Sequence, residues 1–136
     1  MNRPEQVYKL LNHILHHITM NITTTQRQAL ETRIQALIDE AGRKLHSKHP
    51  NADWLCEIHP GKKYLKVVTG HITGLAKDAP TQWSVWCFVD ATTGDVYKPA
   101  GWKGPAKHVR YNLFNEDSYK KALEKVDPYG SWLYMN

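Results

Sequence analysis

Residues 82–90, QWSVWCFVD, decide the fold class. Trp83, Val85, Cys87 and Val89 alternate with Ser84, Trp86, Phe88 and Asp90. Alternation with period two is the spacing of a strand. Both sets are largely apolar, so the strand is expected to lie centrally in a sheet and to be covered on both sides. Upstream, Trp54 to Ile58 and Lys63 to Thr69 read as two strands around the His-Pro-Gly-Lys turn at 59–62. Gly70 to Thr81 is a looser segment holding Gly74 and Pro80. Downstream, the DATTGD turn, with Gly94 supplying a left-handed residue, leads to a short strand at Val96–Lys98.

Before residue 50 the period changes to that of a helix. Val7, Leu10, Leu11, Ile14, Leu15 and Ile18 recur at three-and-four spacing, with Pro4 in the first turn. The run NITTT is expected to break this helix, because Asn and Thr favour caps and turns. A second helix is expected from about Gln26 to about Leu45. Thr25 and Gln28 resemble a capping box, and Leu30, Ile34, Leu37, Ile38, Ala41 and Leu45 form its stripe. Residues 46–53 are a polar link.

Asp117 to Val126 reads as a last helix, and the aromatic tail DPYGSWLYMN as an edge strand docked on the sheet. The expectation is therefore an α+β protein: a helical hairpin over residues 1–50, then a small antiparallel α+β domain over residues 51–136. That domain would hold a four-strand meander, a basic irregular loop and a short C-terminal helix. The stripes of the hairpin must pack on each other, on the sheet or on a second copy, which makes a homodimer an expectation to test.

Composition bounds the function. The 136 residues carry a formal charge of +5, and residues 61–136 hold eleven Lys or Arg against seven Asp or Glu. An anionic partner suits that half. Cys56 and Cys87 each sit in an apolar run, as core cysteines of a reducing compartment do. No apolar run has the length of a membrane span and no signal-peptide pattern opens the chain, so a soluble cytoplasmic protein without a membrane partner is expected.

The basic excess concentrates in residues 98–114, KPAGWKGPAKHVRYNLF. Lys98, Lys103, Lys107 and Arg110 stand there with no acid between Val96 and Asn115, and two prolines and two glycines exclude a regular helix or a central strand. Turning, basic backbone of this kind suits phosphate. Trp102 and Tyr111 offer faces for a base to stack on, Arg110 a bidentate clamp, and Asn112 a reader of a base edge or a ribose hydroxyl. The candidate site is thus Lys98, Trp102, Lys103, Lys107, Arg110, Tyr111 and Asn112. In the opposing reading the lysines serve solubility and Trp102 plugs the core.

Other chemistries are less well supplied. His46, His49, Cys56 and His59 offer four zinc donors, but at a short spacing and with Cys56 in strand alternation, so no metal or cofactor is expected. Neither a nucleophile elbow, a Walker loop nor an HExxH motif is present, and a non-enzymatic binder is the expectation.

The string VWCFVDATTGDVYKPAGWKGPAKHVRYNLF, residues 85–114, resembles a family of small proteins encoded by tailed bacteriophages. The shared features are Phe88–Asp90, Thr93–Asp95, Lys98–Lys107 and Arg110–Asn112. LKVVTG at 65–70 and PYGSWLY at 128–134 resemble the family's start and end, so the likeness covers roughly residues 62–136. Gly101 stands where many members carry Ser. The resemblance implies a phage source and a place in the cytoplasm of the infected host cell, and it supplies no activity. Together these features give the expectation of a phage accessory protein that captures nucleic acid or a nucleotide, including a host defence signal. The alternatives are an inhibitor of a host defence protein acting through the helical hairpin, and a minor virion component.

Overall fold

The computed structural model describes residues 4–71 and 82–134, so most of the looser segment expected at 70–81 lies outside the described residues. The elements are α1 (Pro4–Lys48), β1 (Leu55–Pro60), β2 (Tyr64–His71), β3 (Gln82–Asp90), β4 (Asp95–Tyr97), β5 (Tyr111–Asn112), α2 (Glu116–Lys125) and a single 3-10 turn at Ser131–Leu133. The fold is α+β, with one antiparallel sheet in the order β1-β2-β3-β4-β5.

In place of the expected helical hairpin there is one helix of 45 residues, roughly 68 Å long at about 1.5 Å per residue. NITTT does not break it. Each Thr costs a helix only about 0.7 kcal/mol relative to Ala, and no Gly or Pro stands between Glu5 and Ala41. Thr32 shows how a threonine is accommodated: its hydroxyl donates to the Gln28 carbonyl one turn back, at 2.9 Å.

The C-terminal half of α1 covers one sheet face. Leu30, Ile34, Leu37, Ile38 and Ala41 pack in a single core with Leu65, Val67, Cys87, Val89 and Val96 of the sheet. Burying each of the Leu, Ile and Val side chains stabilises by about 1.5–3 kcal/mol. Arg33 ties α1 to the far end of the sheet. It donates to the Leu113 carbonyl at 2.7 Å, pairs with Glu116 and lies 4.5 Å from the Tyr119 ring centroid. Lys44 donates to the carbonyls of Glu124 and Val126 at 2.7 Å each, closing the C-terminal end of α2.

The N-terminal half of α1 faces elsewhere. At roughly 100° per residue, Leu30 stands about 160° around the axis from Ile14, so the two apolar stripes of the unbroken helix lie on nearly opposite sides. Every described side chain from Gln6 to Leu15 is exposed, on all faces of the helix, so this half stands clear of the core and leaves Val7, Leu10, Leu11 and Ile14 uncovered.

β3 departs from simple alternation. Val67 pairs with Cys87 but Val68 pairs with Val85, which leaves Trp86 as the extra residue of a bulge. Trp86 therefore joins Cys87 and Val89 in the core, where its indole N–H donates to the Asp127 carbonyl at 3.0 Å. Phe88, 2% exposed, lies outside that core and meets Tyr64 edge-on on the other face. The tail is not an edge strand. Gly130, with φ of 86°, turns it into the 3-10 turn that buries Trp132 and Leu133. A strand there would alternate these two neighbours to opposite sides.

Candidate phosphate-binding surface

The basic segment leaves β4 and closes on itself. The Ala106 amide donates to the Lys98 carbonyl at 2.8 Å and the Ala100 amide to the Gly104 carbonyl at 3.0 Å, with Pro99 opposite Pro105. Trp102 and Lys103 thus sit at the tip of a pinned loop. His108, with φ of 74°, turns the chain back, and the Arg110 amide reaches the Val96 carbonyl at 2.8 Å to begin β5. That two-residue strand, absent from the sequence reading, forms where the proline and glycine run ends.

Trp102 does not plug the core. It is 50% exposed, and the Lys66 ammonium lies 4.4 Å from its ring centroid. Lys66 sits on β2 between Leu65 and Val67, both core residues, so it points to the opposite face. The Lys98 ammonium lies 4.0 Å from the ring centroid of Tyr134, which is 62% exposed. Two lysine–aromatic pairs therefore border the loop. Among the described residues none of Lys66, Lys98, Lys103, Lys107 or Arg110 makes an ion pair, so these charges are available to an anion.

The structure does not bring the whole candidate set together. Tyr111 stacks on Trp132 at 5.3 Å, donates its hydroxyl to the Trp132 carbonyl at 3.1 Å, and is held protonated above its ordinary range by burial. Asn112 is equally committed. Its amide NH2 donates to the Thr93 carbonyl and the Asp95 carboxylate, and its side-chain oxygen accepts from the amides of Phe114 and Asn115. Both brace the loop's exit. Arg110 lines a separate concavity with Asn112 and Ser118, away from the cleft of Lys98, and its buried Nε has no protein partner. Lys103 and Lys107 are exposed on the loop itself.

Lys66 and Tyr134 complete the pairs, and the sequence reading missed both as site residues. The alternation of YLKVV already turns Lys66 away from the core, but nothing local to β2 says that a later loop folds over it.

Two of the zinc-type histidines have other commitments. His46 bonds the Ala52 carbonyl at 3.0 Å, and His59 pairs with Glu57 at 3.1 Å. Burial, then the Glu57 charge, pushes the Cys56 thiol up to about 12. Among the described residues no group of three or more His, Cys, Asp or Glu is placed to hold a metal ion, and no helix is long and apolar enough to cross a membrane.

Fold and surface together define a small α+β protein with a pinned basic loop and unpaired lysines set against exposed aromatic rings. The chain belongs to a family of unknown function, DUF7717, whose pattern matches residues 4–135 and so takes in α1 as well as the sheet. No curated protein and no solved structure matches the chain.

Proposed function

We propose that this protein captures a phosphate-bearing ligand, nucleic acid or a nucleotide, on the loop of residues 98–107 and the lysine beside it. The observation that carries the reading is the pairing of Lys66 with Trp102 and of Lys98 with Tyr134. Each pair sets an ammonium beside an exposed ring, so one ligand unit can satisfy both with a phosphate and a base. Lys103 and Lys107 add charge without acidic neighbours in the segment. The role is binding, and no chemical step is assigned. With the phage resemblance, sequestering a host nucleic acid or defence nucleotide is the biological setting.

The test is calorimetric titration of nucleoside mono- and triphosphates and short oligonucleotides into the protein at low salt, with Trp102→Ala alongside. Losing one stacking ring should weaken binding by about 1–3 kcal/mol, roughly 5- to 150-fold. Absence of heat from every ligand at low salt would overturn the reading.

A second reading rests on a different observation, the opposite phase of the two stripes of α1. Val7, Leu10, Leu11 and Ile14 are exposed along one side of the helix and suit another protein chain. The occupant we favour is the same segment of a second copy, because a stripe at three-and-four spacing matches itself along an antiparallel helix pair. A host protein inhibited through this helix, or a virion neighbour, is the competing occupant.

A further inference from the structure

Three clefts follow one another by shared lining residues, from the basic loop to the C-terminal end of α1. The first, about 270 Å³, runs from Trp102 to Ser84 and Val85 beneath Pro99. A second, about 300 Å³, shares Ser84, Val85 and Pro99 with it and holds Lys98, Tyr134 and Tyr129. The third, about 460 Å³, shares Pro128 and Tyr129 with the second and reaches Lys48 and His49 at the end of α1. Tyr129, 73% exposed, stands on the divide.

We infer that the ligand is a single-stranded polynucleotide laid along this band. The inference deepens the phosphate-binding reading proposed above and rests on it. A lone nucleotide asks for one enclosed pocket, whereas here neighbouring clefts share lining residues, Ser84, Val85 and Pro99 between the first two and Pro128 and Tyr129 between the last two. Rings and cations line the row: Trp102 in the first cleft, Tyr134 with Lys98 in the second and Tyr129 with Lys48 in the third, while the Lys66 ammonium stands over the Trp102 ring from outside the first cleft. Successive bases stack on such rings while the backbone follows the cations, and a duplex cannot offer its bases in that way. Lys48 makes no ion pair among the described residues. Asp127, the one carboxylate among the described residues that line the third cleft, is engaged by the backbone that follows it. It accepts from the amides of Tyr129, Ser131 and Trp132 and from the Ser131 hydroxyl, so its charge is spent on the chain that positions Tyr129. Lys44 is occupied by the end of α2 and takes no part.

The experiment is fluorescence anisotropy of labelled oligothymidylates of increasing length, a duplex of the longest length, and a labelled thymidine nucleotide. Tyr129→Ala, Tyr129→Phe and Lys48→Ala lie outside the 98–107 loop. Affinity should rise with length up to the capacity of the band, and the duplex should bind more weakly than the longest single strand. Tyr129→Ala should weaken the longest strand roughly 5- to 150-fold, and Tyr129→Phe should restore wild-type affinity, since stacking needs the ring alone. Lys48→Ala should weaken the longest strand and flatten its salt dependence. Length-independent affinity, or wild-type binding of the longest strand by both Tyr129→Ala and Lys48→Ala, overturns the band and leaves the loop as the site. Failure of the single nucleotide and every strand to bind removes the phosphate-binding reading as well.

Discussion

The Lys66 ammonium lies 4.4 Å from the centroid of the Trp102 ring, which joins the middle of the sheet to the tip of a later loop. The same ammonium is 5.9 Å from the ring of Phe88, so one lysine spans a buried aromatic and an exposed one. The rigid strand therefore fixes where the loop tip offers its ring. Precise presentation by a regular element is what a binding loop requires.

Asn112 and Tyr111 brace this loop, so their loss should appear in stability and not in affinity. Asn112→Ala removes four hydrogen bonds and should cost about 2–4 kcal/mol at about 1 kcal/mol each. Tyr111→Phe removes one and should cost about 1 kcal/mol. Urea unfolding measures both, and the folded fraction should bind as wild type does. A large affinity loss at unchanged stability would return Asn112 to the site.

Two glycines of the segment should respond oppositely to a side chain. At Gly94, φ is 77° and a Cβ would stand 2.7 Å from the Phe114 ring, so Gly94→Ala should cost about 1–3 kcal/mol. At Gly101 a Cβ meets nothing within 4 Å, so Gly101→Ser should be neutral. Thermal melts of the two variants decide it.

The strands were legible because period-two patterning survives in single segments such as YLKVV and QWSVWCFV. Three features were not. The helix break expected at NITTT weighed local preference alone, and three threonines cannot stop a helix that has no glycine or proline near them. The side of Trp86 depends on a bulge, which is set by pairing with Val67 and Val68 and leaves no mark in β3 itself. Tyr111 and Asn112 turn out to be committed to the chain, and the lysine–aromatic pairs take in Lys66 and Tyr134, because proximity in sequence stood in for proximity in space. Tyr111 lies beside Arg110 yet stacks on Trp132.

The two thiols should be inert in the folded protein. Burial raises Cys87 well above its ordinary value of 9.0, and burial with the Glu57 charge raises Cys56 to about 12. A pKa raised on folding gives a contribution that is complete below the unfolded value and is lost as pH climbs toward the folded one. Stability should thus hold up to about pH 8.5 and decline above it. Alkylation at pH 8 should label neither cysteine until denaturant is added; rapid labelling of native protein would contradict the burial of Cys87 and the raised pKa of the half-buried Cys56.

The exposed stripe of α1 should drive self-association. Light scattering coupled to gel filtration is expected to give twice the 15.7 kDa chain mass, and Leu11→Glu should return the monomer. A wild-type monomer would leave the stripe to a different protein.

Phosphate capture by the lysine–aromatic loop is tested most directly by the salt dependence of single-strand binding. Anisotropy titrations from low to physiological salt should give a straight line of log affinity against log salt, with a slope of about −0.7 per phosphate neutralised. Lys66→Ala, Lys98→Ala and Lys103→Ala should each remove about one phosphate's share of that slope. A flat salt dependence, or variants whose slopes equal the wild type, would contradict the account.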